Sequence, residues 1–532
     1  MALAETGMNV LRRWWPALSD SQLPELHGGL ALPRNKPGLP LDGKISTLPL
    51  PAQLVLPLLN YRREALTPLV SVGQQIQRGQ MLAEGLIASA SGCIVAIEPR
   101  AILHPSARHE LCIVIQPDTD TADHSATHPI QNLLSIERLA QCGIRGLGGA
   151  GFATSEKFAS AQVASGPLEI LLINAVECEP LISCDEALMM CEAPAIIEAI
   201  SALMSMTRCR RSVLAIENDK LAAISALQEA LAAQPNSIEL QLLPPIYPSG
   251  AERSLIQRIT GQQLAAGERA AHRGILSINV ATALAAHKAQ AGVPLTSRIV
   301  TIAGEACPVP VNVRVTFGTT VADVLRMSGN QAVLDTCQSR GPDRYRVRVG
   351  GPLSGFDLMS LDAPVSATTN CISVHTLQAD STVQPCIRCG ACSEVCPEQL
   401  LPQQLYWYAR ADHQEGAQRF GLDSCIECGC CDVVCPSAIA LTATFRHAKD
   451  ARREQQRQDA AAMAAEQRYL AREQRLAQRA AVREERRLAA KSKLAVSADP
   501  IADALNRARQ RRKPRVDKAM NTGGDTGPDG QS

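Results

Sequence analysis

Two stretches of this chain carry cysteines at a spacing that few kinds of chemistry use. CIRCGACSEVCP places Cys386, Cys389, Cys392 and Cys396 at C-x2-C-x2-C-x3-C with Pro397 behind them, and CIECGCCDVVCP repeats the pattern with Cys425, Cys428, Cys431, Cys435 and Pro436. Two intervening residues let successive thiolates curl around one iron–sulfur cubane, and small residues such as Gly390 and Gly429 let backbone N–H groups approach its sulfurs. Zinc usually takes its four ligands from two separated C-x2-C pairs. The doubled run therefore points to two [4Fe-4S] clusters and to the transfer of single electrons.

In two-cluster ferredoxins the fourth cysteine of each run reaches across to the other cluster. By that rule Cys386, Cys389, Cys392 and Cys435 hold one cluster, and Cys396, Cys425, Cys428 and Cys431 hold the other. Cys430 is surplus and is expected to pack as a small buried hydrophobe. The 28 residues between Cys396 and Cys425 exceed a minimal module, and LLPQQLYWYARADHQEGAQRF within them has an amphipathic helical pattern. Ten further cysteines, Cys93, Cys112, Cys142, Cys178, Cys184, Cys191, Cys209, Cys307, Cys337 and Cys371, lack ligand spacing and are expected in cores.

A cluster takes one electron at a time, so a two-electron donor such as NADH needs a flavin as converter. The segment GIRGLGGAGFATSEK contains Gly146, Gly148 and Gly151, which formally fit G-x-G-x-x-G. A Rossmann loop follows a strand, whereas the preceding IQNLLSIERLAQCG reads as an amphipathic helix, so this is a different glycine-rich loop. Glycines at 143, 146, 148, 149 and 151 allow backbone N–H groups to converge on a phosphate, with a helix near Ser155 adding its positive end. From the loop alone, a plain tight turn fits equally well. Downstream, LEILLINAVECEP gives a buried strand, Ile170 to Asn174, ending in an acidic turn.

GLGGAGFATSEKF followed by NAVECEP resembles the flavin-binding loop and acidic turn of the 51-kDa NADH-dehydrogenase subunit of respiratory complex I. It is more similar still to RnfC, the C subunit of the Rnf (Rsx) ion-translocating oxidoreductase complex. The resemblance implies FMN against Gly146, Gly148, Gly149, Gly151, Lys157 and Asn174, with Glu177 and Glu179 as the catalytic pair near flavin and nicotinamide. YPSGAERSLI, with Tyr247, Gly250 and Glu252, and INVATALA, with Asn279 and Thr282, agree with it. PLVSVGQQIQRGQMLAEGLIASASGCIVAI resembles the lipoyl-like barrel-sandwich domain of the same family. No lysine lies between Lys44 and Lys157, so this copy carries no swinging cofactor. RIVTIAGEACPVPVNVRVTFGTTVADVL suggests a β-grasp domain, after which GGPLSGFDL and TTNCISV lead to the clusters. Departures lie in GGLALPRNK, without the family's His-Pro pair, at Asn60 and Tyr61, at Ala153 for proline and at Ser366 for lysine.

These readings give a multidomain α/β and β chain in seven parts. They are an N-terminal extension (1–45), a barrel-sandwich domain (46–120), an FMN/NADH-binding α/β domain (125–290) and a β-grasp domain (291–375). A two-cluster ferredoxin-like domain (376–445), a charged helical arm (446–495) and a disordered basic tail (496–532) follow. The arm is rich in Ala, Arg, Gln and Glu, which favours one long helix, either solvated or docked on a partner subunit. RARQRRKPR at 507–515 holds six basic side chains that would suit an anionic leaflet as well as an ordinary tail.

At 532 residues, 46% hydrophobic and 20% charged, the chain has an ordinary globular composition, and its net charge of +1 gives no field to recruit nucleic acid. No run of 18 apolar residues is found and no export signal, so no transmembrane segment is expected. The resemblance implies a peripheral subunit on the cytoplasmic face of the bacterial inner membrane. It would act as an oxidoreductase and translocase subunit, passing electrons between NAD(H) and ferredoxin-type carriers through FMN and two clusters. Membrane-embedded and iron–sulfur subunits would be its partners. A flavin and iron–sulfur cobalamin reductase, and a wiring scaffold that oxidises no NADH, are the alternatives.

Overall fold

The structure is a computed structural model that describes residues 26–32, 39–118, 134–163, 168–233, 237–265, 267–340, 345–376, 383–496 and 500–511. The expected disordered end, MNTGGDTGPDGQS, and the side chain of Cys337 lie outside them.

Four runs of apolar residues form a parallel sheet. Its spatial order is Ile238–Leu243, Arg211–Glu217, Ile170–Asn174, Ile275–Asn279, all parallel. Near-continuous apolar runs suit strands covered on both faces. Leu171 and Ile173 face one layer, with helices Cys184–Thr207, Leu221–Ala232 and Val280–Gln290, while Ile170 and Leu172 face helix Glu252–Thr260 on the other. Each such side chain, fully buried, contributes about 1.5–3 kcal/mol. Cys184–Thr207 is the one described helix long and apolar enough to cross a membrane. Its Ile196, Ile197, Ile200 and Leu203 are instead fully buried in this core.

Leu54–Pro57, His109–Pro117, Gly92–Ala101 and Gln75–Ile76 make an antiparallel sheet, completed by the pair Met81–Ala83 and Leu86–Ile87 around a core of Leu54, Leu56, Leu82 and Ile113. A six-stranded mixed sheet follows, in the order Phe356–Asp357, Tyr345–Val349, Cys371–Thr376, Ser297–Ala303, Val311–Thr316, Ile45–Thr47. The N-terminal strands pair with later parts of the chain. Ile45–Thr47 pairs with Val311–Thr316, and Leu30–Ala31 pairs with Ile246–Tyr247, because each finds an open edge with unpaired backbone groups.

The cysteine-rich module is helical. The amphipathic helical pattern between the runs forms two helices, Pro402–Arg410 and Gln414–Arg419, joined by a turn in which Asp412 has φ 52°. The helix Leu441–Val496 is 56 residues long, and its Leu441, Phe445 and Ala448 are buried in the module's core. The chain divides into two units, 1–449 and 450–532. In the second, no described residue is buried, and part of the expected tail forms the helix Pro500–Gln510.

Candidate functional site

In an open α/β sheet, ligands bind beyond the carboxyl ends of the strands where the winding direction reverses. Here the reversal falls between Ile170–Asn174 and Ile275–Asn279, whose last residues, Asn174 and Asn279, are paired neighbours. Asn279 caps the helix Val280–Gln290 by accepting from the Ala281 and Thr282 N–H groups, and its amide donates to Asp185 at 2.7 Å. Asn174 donates to the Gly250 carbonyl at 2.8 Å.

The glycine loop lies on this edge. The Leu147 N–H donates to the Thr282 hydroxyl at 2.8 Å, and the Gly146 N–H to the Phe152 carbonyl at 2.8 Å. A Cβ on Gly148 would come within 3.3 Å of the Asn279 Cβ, so the loop sits flush on the cap. Gly149, at φ 106°, has no atom within 4 Å of where a Cβ would stand, so this stretch of backbone faces open space. Helix Thr154–Val163 starts directly afterwards. Free backbone amides leading into a helix N-terminus are what a phosphate needs, so the residues present fit an FMN phosphate.

The loop opens on a cavity of ≈ 480 Å³ bordered by Gly148, Gly149 and Gly151, by Asn60 and Tyr61, and by Gly350, Ser354 and Gly355. Two of these contributors are not among the candidate site residues. Tyr61 packs its ring on Phe152 at 4.7 Å between centroids and donates its hydroxyl to Glu156 at 2.7 Å. The loop 350–355, GGPLSG, carries glycines at 350, 351 and 355 and Pro352 as signs of a tight turn. Lys157 pairs with Glu252 at 2.8 Å across two helix starts, a half-exposed contact contributing about 1 kcal/mol or less.

Neither carboxylate of the acidic pair borders the cavity. Glu177 accepts from the Asp185 and Glu186 N–H groups at 2.9 and 3.2 Å, satisfying the first turn of helix Cys184–Thr207. Burial, reinforced by the neighbouring Asp185 charge, pushes its carboxyl up to about 7. Glu179 accepts from the Leu353 and Ser354 N–H groups at 2.8 and 3.0 Å, and burial raises its pKa as well. Both are anchors for backbone that would otherwise be buried unpaired. Tyr247 also turns away from the cavity, donating to the Cys428 carbonyl at 2.6 Å.

The eight run cysteines border two separate cavities. Cys386, Cys389, Cys392 and Cys435 line one, and Cys396, Cys425, Cys428 and Cys431 the other. Among the described residues, no three of these sulfurs lie within 4.8 Å of one another. A single tetrahedral zinc, at a Zn–S distance of about 2.3 Å, would need sulfurs about 3.8 Å apart. The wider spread fits a cubane. Cys430 is fully buried, and its thiol donates to the Cys428 sulfur, which holds Cys428 below the ordinary thiol range. Of the other cysteines, Cys112, Cys142, Cys184, Cys209, Cys307 and Cys371 are buried, Cys93 and Cys178 are partly so, and Cys191 is exposed, against expectation.

Three family models match the chain: the RnfC barrel sandwich hybrid domain over residues 24–120, the Nuo51 FMN-binding domain over 139–288 and the 4Fe-4S dicluster domain over 385–439. The C subunit of the ion-translocating oxidoreductase complex of Serratia proteamaculans is 37% identical over 514 residues, 93% of this chain and 71% of that protein. The corresponding proteins of Edwardsiella ictaluri and Salmonella gallinarum are each 38% identical, with 88% and 92% of this chain matched to 59% and 73% of theirs. A solved NAD+-reducing [NiFe]-hydrogenase superposes at a TM-score of 0.42 and 18% identity over 62% of each chain, too loosely to argue from. The chain belongs to the RnfC family, the C subunits of ion-translocating oxidoreductase complexes, and is an electron-transfer oxidoreductase subunit with an FMN-binding domain and a domain for two [4Fe-4S] clusters.

Proposed function

We propose that this chain converts between the two-electron chemistry of NAD(H) and one-electron chemistry, as a peripheral subunit on the cytoplasmic face of the bacterial inner membrane. FMN, when bound, takes two electrons as hydride and gives them up singly. Around it the chain's own residues bind and orient. Backbone N–H groups of Gly148, Gly149 and Gly151 and the start of helix Thr154–Val163 take the phosphate. Asn279 and Thr282 hold that loop to the sheet, while Asn174, Gly250, Lys157 and Glu252 fix its neighbours. Glu177 and Glu179 position the acidic turn. Residues 297–376 act as a β-grasp domain closing one side of the cavity.

The clusters would be held in crossed sets, Cys435 with Cys386, Cys389 and Cys392, and Cys396 with Cys425, Cys428 and Cys431. The observation that carries the reading is this division of the eight sulfurs between two cavities, with no three of them, among the described residues, close enough to share a single ion. Electrons would pass to or from an iron–sulfur subunit and a ferredoxin-type carrier. Membrane-embedded subunits would move the ion.

The test is anaerobic purification with iron and flavin counted and the spectra followed on adding NADH. About eight irons, one FMN and bleaching of both chromophores are expected. Iron without flavin would contradict the catalytic reading and leave a wiring subunit.

A further inference from the structure

The two cysteine loops are near copies, yet they stand in different surroundings. The loop carrying Cys428 is walled in by the flavin domain and the β-grasp domain. Tyr247 donates to the Cys428 carbonyl at 2.6 Å, and a Cβ on Gly429 would come within 2.4 Å of the Leu353 carbonyl oxygen. The other contributor to that cluster, Cys396, is approached from the same side. The Gly29 N–H donates to the Val395 carbonyl at 3.0 Å, and Arg253 pairs with Glu398 at 2.9 Å.

Loop 350–355 joins the two sites. Its Ser354 and Gly355 border the flavin cavity, while its Leu353 carbonyl faces Gly429 and its Ser354 carbonyl accepts from Arg446 of the cluster module. Glu179, from the acidic turn, grips the same loop through the Leu353 and Ser354 N–H groups. One short loop therefore separates the flavin cavity from the Cys428 cluster.

The Cys389 loop has no such wall. Both cluster cavities are bordered by residues of the cysteine module alone, so the difference lies in what packs behind each loop. Cys389 is exposed, Ile387 is 68% exposed, and Gly390 has nothing within 4 Å of a built Cβ. Within an otherwise equivalent pair, one end faces the donor and the other faces solvent.

We propose that the clusters work in a fixed order: the set of Cys396, Cys425, Cys428 and Cys431 is the inner cluster that exchanges electrons with the flavin. The set of Cys386, Cys389, Cys392 and Cys435 is the outer cluster that exchanges them with a one-electron iron–sulfur protein docking at the Cys389 loop. Each hydride from NADH brings two electrons. With the cofactors bound, these would leave singly through the inner set and then the outer set to two one-electron partner molecules, and the flavin's protons would return to solvent. Tyr247 is a positioning residue that fixes the inner loop against the flavin domain.

The order rests on the flavin and two-cluster reading above, and the two fail differently. Missing flavin or iron in the unmutated protein would sink that reading. Both cofactors present in the opposite order would sink only the present one. The experiment compares anaerobic holoprotein variants that each lose one cluster, C389A/C392A and C428A/C431A, with iron and flavin counted and reduction followed by EPR. In C389A/C392A, NADH is expected to reduce the remaining cluster, while transfer to a ferredoxin-type acceptor is lost. In C428A/C431A, dithionite reduces the remaining cluster and NADH does not. The reverse pattern overturns the order. A milder variant covers the case of misfolding. With both clusters in place, Tyr247→Phe should shift the midpoint potential of the cluster less relaxed by a water-soluble gadolinium chelate. A shift of the better-relaxed cluster, or of neither, overturns it.

Discussion

The two cysteine loops differ less in sequence than in what presses on them. CIRCGACSEVCP and CIECGCCDVVCP share the left-handed turn at Arg388 (φ 58°) and Glu427 (φ 57°), the helix-starting glycines at φ 85° and 77°, and the left-handed exits at Gln399 (φ 54°) and Ala438 (φ 50°). A cubane imposes the same backbone on both. The residues at the first of these positions then diverge. Arg388 has no ion pair among those described, whereas Glu427 is gripped by Arg446 at 3.0 Å and Lys449 at 2.9 Å, whose charges hold its carboxyl below the usual range despite burial. The ligation motif thus fixes the loop, and the residues around it fix which way the loop faces.

The sharpest way to break this comparison is through the fourth cysteines. Cys435→Ala should abolish or convert the cluster of Cys386, Cys389 and Cys392, leaving the one held by Cys425, Cys428 and Cys431, and Cys396→Ala should do the opposite. EPR and iron counts on each variant check it, and damage confined to the cluster of the variant's own run refutes the crossing.

Next in size is the paired glycine substitution. Gly429→Ala forces a Cβ against the Leu353 carbonyl in addition to a positive φ, and is expected to destabilise by about 2–4 kcal/mol. Gly390→Ala meets only the φ penalty, about 1–2 kcal/mol. Thermal unfolding of the holoproteins reads the difference, and equal losses would mean that the inner loop is not confined.

Glu427→Gln leaves Arg446 and Lys449 without their carboxylate in a half-buried position and should cost about 2 kcal/mol, while Arg388→Gln should cost under about 0.5 kcal/mol. The smallest effect is on the flavin side. Lys157→Gln removes a half-exposed ion pair, with a loss of about 1 kcal/mol or less that shrinks in high salt. Denaturant titration at two salt concentrations measures it.

Legibility follows chemistry. The eight cluster cysteines stand out because thiolate ligation demands a residue type at a fixed interval, and neither can be substituted. The strand Ile170–Asn174 and the glycine loop are also readable, one by its apolar run and the other by its composition. Glu177 and Glu179 are legible as an acidic turn but not as backbone anchors, because a carboxylate in a turn looks the same whether it faces a substrate or caps a helix. Only the fold brings the N–H groups of Asp185, Glu186, Leu353 and Ser354 to them. Tyr61 and loop 350–355 stand out in the sequence, one as a departure and the other in GGPLSGFDL, but their place on the cavity does not, because they contribute shape and backbone from far along the chain. GGLALPRNK reads as a drifted motif, yet Gly28 and Gly29 keep a backbone role against Val395, a contact that no side-chain pattern records.

The order of the clusters is the claim on which the rest turns, and a distance tests it most directly. Pulsed EPR on the two single-cluster holoproteins measures the separation between paramagnetic flavin and the reduced cluster that remains. The separation should be the shorter in C389A/C392A, which keeps the Cys428 cluster, and the longer in C428A/C431A. Equal separations, or the shorter one to the Cys389 cluster, would contradict it.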